Sequence, residues 1–295
     1  MRAELVFNIG GTIELSIGCM LPCTGMKLLN GSELAGFIKA RQAQQVRTLR
    51  HSHNINPKLS IIVTIDHPVI DVYVRLKKQY GSEIQVDVDV YKVDQAEVPE
   101  LLGRLNSDNT VHGIITQLPL KDPSKTDEIV NMVVASKDVD ALGSDADFDP
   151  ATPMAIMWLL AGYNVELRGK HILLIGRGKL VGVPLEKLLK NSGLEVVVAD
   201  RSTPDLKTEA LRADIIITAA GSPAILFSNM VKQGAVVVDA GVASEDGKTV
   251  GDVAPELYER DDLTLTPAKG GVGPLTVCAL FDNVIRAARQ NAGEV

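Results

Sequence analysis

The stretch Ile172–Pro184, "ILLIGRGKLVGVP", decides how the chain is read. Four consecutive aliphatic residues, Ile172 to Ile175, suit a strand buried on both faces. Gly176 and Gly178 follow at once, and Gly182 comes one residue later than G-x-G-x-x-G requires. A strand that turns through glycines into a helix aims backbone N–H groups and the positive end of the helix dipole at one point, which suits a pyrophosphate. Glycine allows that approach because no Cβ stands in the way. Taken alone, the loop reads equally as a tight strand-to-helix turn. Its neighbours tip the balance. Asp200 and Arg201 close the next strand, "EVVVAD", where a dinucleotide fold reads the ribose 2′ position. Gly176, Arg177, Gly178, Gly182, Asp200 and Arg201 are therefore the candidate cofactor-binding residues.

Working outward, further strands follow in "DIIITAA", "AVVVDAG" and a short "LTLTPA", with helices expected from Val183, Asp205 and Ser228. Before the loop, "KLSIIVTI", "IQVDVDVYKV" and "VHGIITQLPL" alternate with the amphipathic stretches "ELAGFIKARQAQQVRTLRHSH", "DHPVIDVYVRLKKQYG" and "AEVPELLGRLNSD". A further helix is expected in "KTDEIVNMVV" and a last one from Leu275 to about Gln290. Strand and helix in turn imply parallel sheets covered by helices. The expected fold is α/β: two α/β domains with a cleft between them, the second a Rossmann-type doubly wound parallel sheet. Residues 26–147 with 275–295 would form the first domain and 148–274 the second. Residues 1–25 read as a leader or extension, without the basic and continuous apolar regions of a signal peptide.

Composition narrows the function classes. At 295 residues the chain is long enough for two cores. A net charge of −7 argues against a general nucleic-acid surface. Aromatic residues make up 4%, too few for base-stacking platforms. No apolar run reaches the ~20 residues needed to span a bilayer. The three cysteines, Cys19, Cys23 and Cys278, are an odd, sparse set that suits free thiols in a reducing compartment, hence a cytoplasmic protein. Cys19 and Cys23 have no matching Cys/His pair downstream, so no metal site is expected.

"IGRGKLVGVPL" closely resembles the cofactor loop of the bifunctional methylenetetrahydrofolate dehydrogenase/cyclohydrolase family, G-[RA]-S-x-x-V-G-x-P. The resemblance continues, in the family's order and spacing, through "YVRLK" (73–77), "TQLPL" (116–120), "KDVD" (137–140), "ATP" (151–153), "GDV" (251–253) and "PAKGGVGPLT" (267–276). It covers roughly residues 26 to 290. It implies oxidation of 5,10-methylenetetrahydrofolate to the methenyl compound with NADP, then hydrolysis to 10-formyltetrahydrofolate, by a homodimer bound to no nucleic acid or membrane. Two other readings stay open. One is a dehydrogenase with weakened hydrolysis; the other is a non-catalytic nucleotide-binding relative. A shikimate-dehydrogenase type of two-domain enzyme shares the architecture but neither "GGVGP" nor "YVRLK".

Tyr73 and Lys77, four apart on a helix, share one face. Alone they read as a half-buried tyrosine and a surface lysine. The resemblance makes Lys77 the acid/base of the hydrolytic step, Tyr73 a packing partner of the folate, and Gln117 the group that bonds the lysine. It makes Asp140 the acceptor for the pterin's amino-pyrimidine edge, where a carboxylate can take two N–H bonds; a turn cap is the plain alternative. Gly270, Gly271, Gly273 and Pro274 would wall folate from nicotinamide, and Thr276 would lie on the cofactor side.

The sequence also departs from the family pattern. Ile65 stands where the family carries glycine and Ile70 where it carries serine, which removes a hydroxyl close to Lys77. Ala141 replaces a glycine, Gly178 replaces the loop serine, and Lys269 enters the glycine-rich segment. At the 2′ position Arg177 and Arg201 could clasp a phosphate, whereas Asp200 would repel one and accept a hydroxyl. NADP is expected over NAD by this narrow margin.

Overall fold

The computed structural model of the protein describes residues 27–245 and 248–293; Cys19, Cys23 and the expected leader, residues 1–25, lie outside the described residues. The chain enters through a two-residue strand, β1 (Lys27–Leu28), and a long helix, α1 (Gly31–Ser52). Asn30 starts that helix by accepting from the Glu33 N–H, satisfying one of its orphan donors. Strands β2 (Lys58–Val63), β3 (Asp87–Lys92) and β4 (Gly113–Thr116) follow, separated by α2 (Pro68–Ile84) and α3 (Val98–Ser107). They form a parallel sheet in the order β3-β2-β4. The aliphatic runs "LSIIV" and "GIIT" are buried on both faces, as expected of parallel strands covered by helices.

After a short α4 (Thr126–Val130), helix α5 (Ala151–Gly162) carries the chain into the second unit. There β5 (Ile172–Ile175), α6 (Gly182–Asn191), β6 (Val196–Ala199), α7 (Leu206–Arg212), β7 (Ile215–Thr218) and β8 (Val236–Asp239) alternate. A hairpin of β9 (Ala243–Glu245) and β10 (Lys248–Val250), a short β11 (Thr264–Leu265) and the long α8 (Val272–Asn291) complete the chain. The six-stranded sheet is parallel throughout, in the order β1-β11-β8-β7-β5-β6. The order reverses at β5, so the glycine loop stands at the topological switch point, where open sheets of this kind bind ligands.

Helices α5 and α8 join the two units. Nearly every residue of α5 is buried, including Met154, Ala155, Ile156, Leu159 and Leu160, because it packs against α8, α6 and α1 at once. Leu34 of α1 sits so close to Gly162 that a Cβ there would lie 2.7 Å from its methyl group. One continuous core therefore runs from Leu59 and Ile61 of the small sheet to Leu174 and Ile217 of the large one. Among the described residues, no helix is long and apolar enough to cross a membrane.

Three expectations differ in detail. Lys27 and Leu28 were assigned to the first unit, but β1 pairs with β11 at the rim of the large sheet. The helix expected from Ser228 is a single 3-10 turn, Ser228–Met230, because Gly234 turns left-handed before β8 and leaves no room for more. The stretch "KTDEIVNMVV" yields only the five-residue α4 after a Pro123 turn.

Candidate active site

The first half of the site is built on α2 and the end of β4. His67 begins α2 through its Nδ1, which accepts the Val69 N–H at 3.2 Å, and Pro68 occupies the first turn, where its missing N–H costs nothing. Ile70, Val74, Tyr80, Gly81 and Ile84 face the core. Tyr73 and Lys77 share the neighbouring stripe; Tyr73 is 41% exposed and Lys77 half-buried. Gln117, one residue beyond β4, continues the sheet by donating its N–H to Ile62 at 2.9 Å. Its side-chain Nε2 donates to the Leu118 carbonyl at 3.0 Å, which fixes the amide so that Oε1 accepts from Lys77 Nζ at 2.8 Å. Burial pulls the Lys77 ammonium below lysine's ordinary value, and the Asp140 carboxylate opposes that shift. The structure thus brings Lys77, Gln117 and Asp140 together, with Tyr73 one turn away.

Each residue of "KDVD" has its own task. Lys137 is buried, and its Nζ donates to the carbonyls of Leu105, Asn106 and Asp108 at 3.0, 2.8 and 2.8 Å, closing the end of α3. The buried Asp138 accepts the Gly143 N–H at 2.8 Å and the Leu142 N–H at 3.4 Å. Burial raises the Asp138 pKa, and those N–H bonds partly offset the shift. Val139 fills the core. Asn283 of α8 donates to the carbonyls of Val139 and Asp149 at 2.9 and 3.0 Å, anchoring the segment that carries Asp140. Neither Asp138 nor Asn283 was foreseen as part of the site. The backbone turns left-handed at Ala141, with φ 53°, where the family pattern has glycine.

The second half is the glycine loop. Gly176 has φ 108°, and a Cβ there would lie 2.5 Å from the Ala219 carbonyl. At Gly182 a Cβ would meet the Gly176 carbonyl at 2.2 Å. The loop's own closure therefore demands both glycines. Around Gly178, in contrast, a Cβ would meet nothing within 4 Å, so that position opens outward. Helix α6 starts directly from the loop, and Val181 caps it with no side-chain bond. These features fit a dinucleotide whose pyrophosphate lies on the α6 N-terminus. Arg177 and Asp200 face each other across the ends of β5 and β6. Arg201 is exposed beside them.

An acidic pair, half-buried Asp239 and buried Asp252, shapes the neighbouring loops. Asp239 accepts the N–H groups of Gly241, Asp252 and Val253 at 2.9 to 3.1 Å, and the Thr218 hydroxyl at 3.1 Å. Asp252, fully buried, accepts from Ala220 and Ser222 at 2.7 and 2.8 Å. Burial raises its pKa. "GDV" is thus the knot that ties the loops after β7 and β8, a role sequence reading missed. Its signal was present: Gly241 and Gly251 lie where a Cβ would strike these two carboxylates.

Gly270 and Gly271 were expected to wall one ligand from another. Within the protein their tight contacts are with α1: a Cβ on Gly270 would lie 2.5 Å from the Ser32 hydroxyl, and one on Gly31 only 1.8 Å from the Gly271 carbonyl. Gly273 is exposed with open space around it, and Pro274 is half-buried beside it. Thr276 places its hydroxyl 3.5 Å from that of Thr152, where α8 meets α5. Between the units lies a cavity of about 200 Å³, lined by Leu118, Val130, Ala141 and Leu142 on one side and Lys179, Leu180 and Pro184 on the other. A Lys179–Asp127 ion pair spans the two sides. Ile70 is buried in the core, so the position offers packing and no hydroxyl to Lys77.

A lysine–glutamine pair facing a glycine loop across a cleft, on two parallel sheets, defines a two-domain α/β enzyme of the dinucleotide-using class. Comparison with known proteins gives the family. Residues 29–140 match the tetrahydrofolate dehydrogenase/cyclohydrolase catalytic domain, and residues 150–292 match the NAD(P)-binding domain of the same family. The bifunctional protein FolD of Campylobacter jejuni is 37% identical over 279 residues, 90% of this chain and 99% of that protein. A crystal structure of the Campylobacter jejuni bifunctional dehydrogenase/cyclohydrolase superposes with a TM-score of 0.85 at 36% identity, covering 90% and 99% of the two chains. The Trypanosoma brucei FolD structure, complexed with NADP and an inhibitor, superposes with a TM-score of 0.84 at 27% identity, covering 92% and 99%. The chain belongs to the tetrahydrofolate dehydrogenase/cyclohydrolase family.

Proposed function

We propose that the protein oxidises 5,10-methylenetetrahydrofolate to 5,10-methenyltetrahydrofolate with NADP and hydrolyses that product to 10-formyltetrahydrofolate. The observation that carries this reading is the Lys77–Gln117 hydrogen bond, placed beside Asp140 on the side of the cleft opposite the glycine loop. When bound, NADP supplies the hydride acceptor. The protein's task in that step is to hold the two ring systems together, Tyr73 and Asp140 on the folate and the loop from Gly176 to Gly182 on the dinucleotide.

Hydrolysis asks for proton transfer at an already electrophilic carbon, and this falls to Lys77. A general acid/base works best with a pKa near the working pH. Burial moves Lys77 in that direction, and the neutral Gln117 orients the amine without pinning its proton as a carboxylate would. Gly273 and Pro274, at the start of α8, are assigned to the wall between folate and nicotinamide. Thr276 supports the cofactor side of the junction between α5 and α8.

Lys77→Met tests the assignment. Removing an acid/base group costs ~10²–10⁴-fold, so hydrolysis of the methenyl compound should vanish while oxidation with NADP largely survives. Unchanged hydrolysis would overturn the role of Lys77. A parent protein that oxidises but never hydrolyses would instead favour the dehydrogenase-only reading, to which the buried Ile70 points. We place the protein in the cytoplasm as a homodimer joined through the dinucleotide unit, where β6 ends the sheet with Val197 exposed. Light scattering at micromolar concentration should return twice the chain mass; the mass of one chain would refute this.

A further inference from the structure

The order of the large sheet sets where the reacting half of a dinucleotide lies. The glycine loop after β5 takes the pyrophosphate and the adenosine side lies over β6, so the nicotinamide side extends over β7 and β8. The segments that meet it there are 219–222 after β7 and 240–243 after β8. The first begins against the glycine loop: a Cβ on Gly176 would lie 2.5 Å from the Ala219 carbonyl and 2.7 Å from the Ala220 nitrogen. In the second, Val242 is 61% exposed, an apolar side chain held open on this edge.

The sheet ladder does not reach far into these segments. Ala219 is still tied to it, its N–H donating to the Ile175 carbonyl at 2.7 Å. One residue on, Ala220 donates to Asp252 Oδ2 at 2.7 Å, and Ser222 donates to Oδ1 at 2.8 Å. Between them Gly221 turns left-handed, with φ 62°, and both N–H groups converge on the one carboxylate. The same carboxylate abuts the second segment, where a Cβ on Gly241 would lie 2.1 Å from it. The Asp252 N–H donates to Asp239 Oδ1, which also accepts the Gly241 N–H. Asp252 is fully buried, and a carboxylate in that state is costly unless it is well bonded. We propose that Asp252 is a positioning residue for hydride transfer: it fixes the two segments on which the nicotinamide end of the dinucleotide lies. Hydrolysis, which falls to Lys77 across the cleft, does not draw on it. This rests on the proposed function, with the glycine loop as the dinucleotide site.

Asp252→Asn tests this with little change of shape, because the amide nitrogen would face one of the two N–H donors and release one end of the turn. At saturating NADP, kcat for oxidation of methylenetetrahydrofolate should fall about 10- to 100-fold, the scale of a small misplacement of reacting groups. Hydrolysis of added methenyltetrahydrofolate, assayed without dinucleotide, should stay within about twofold of the parent, as expected of a distant site. Adenosine 2′,5′-bisphosphate, which probes the adenosine half alone, should bind as in the parent by titration calorimetry. A general loosening of the fold would lower all three together. Thr218→Val serves where Asp252→Asn does not fold: it keeps the shape and removes the hydroxyl that donates to Asp239. It should lower the oxidation kcat by about threefold, the scale of one lost hydrogen bond, and leave hydrolysis alone. Unchanged oxidation in the folded variant, a loss confined to KM, or hydrolysis that falls in step with oxidation would each overturn the role of Asp252. In a parent that oxidises without hydrolysing, the bisphosphate titration makes the comparison, and weakened binding overturns the role. A parent that does not oxidise methylenetetrahydrofolate would instead remove the proposed function, and this inference with it.

Discussion

At the scale of single residues, short motifs hold more than one kind of information. In "KDVD" only Asp140 was readable as a ligand-binding group, yet Lys137 closes α3 and Asp138 builds the turn that presents Asp140. The Lys137 role needs carbonyls brought from 29 to 32 residues away, which no local pattern announces. The departures from the family pattern have different costs. Gly178 stands in open space and Ile70 packs, but Ala141 holds φ 53° with a Cβ. A left-handed non-glycine residue costs roughly 1–2 kcal/mol, and the extra freedom that glycine has when unfolded returns part of that. Ala141→Gly should therefore stabilise the protein by about 0.5–1 kcal/mol. Thermal unfolding should move up by a degree or more; a lower midpoint would show that the Ala141 methyl, which lines the cavity, contributes more by packing than the turn loses.

At the scale of elements, the strands were legible because buried parallel strands are runs of aliphatic residues, and β2, β4, β5, β7 and β8 all fall where such runs lie. The elements that sequence could not give are those set by their partners. The two-residue β1 exists only because β11 lies beside it. Likewise "PAKGGVGP" was assigned to the ligands because glycines permit close approach, and they do, but the near neighbour of Gly270 and Gly271 is the start of α1. Ser32 N–H donates to the Gly270 carbonyl at 2.9 Å, so α1 and the segment before α8 are locked at their ends. Gly31→Ala would drive a methyl into backbone 1.8 Å away, with no flexible side chain to yield. Overpacking of this kind typically costs 1–3 kcal/mol, occasionally more. The variant should lose at least ~2 kcal/mol in chemical denaturation. Gly36→Ala, on the same helix with open space around it, should be neutral or stabilising. Equal effects of the two would refute the packing argument.

At the scale of the whole molecule, two sheets that share a core through α5 and α8 place the lysine on one side of a cleft and the glycine loop on the other. That arrangement was predictable from alternating strands and helices. The electrostatics of burial were not, because they depend on which chains meet. His112 shows this. It is buried at the start of β4, its Nδ1 accepts the Lys58 N–H at 3.2 Å, and its N–H donates to the Lys58 carbonyl at 3.0 Å. Burial first, then the Lys137 and Lys58 cations, lowers its pKa from 6.5 to about 4, with Asp108 opposing. Between those values the unfolded chain takes up a proton that the folded protein refuses. The stability that His112 contributes is therefore complete above pH 6.5 and is lost as the pH falls toward 4, by up to about 1.4 kcal/mol per pH unit and roughly 3 kcal/mol in all. Asp138 and Asp252, whose pKa values burial raises, act the other way: their contribution is present in acid and fades as pH rises through their folded values. The net curve mixes these groups, so the measurement is a difference. His112→Asn places an acceptor near the Nδ1 position and removes the titration. Urea unfolding at pH 7.5, 6, 5 and 4.5 should show the parent losing its advantage over the variant step by step in acid. Two curves that fall in parallel would mean that His112 is protonated in the folded protein as readily as in the unfolded chain.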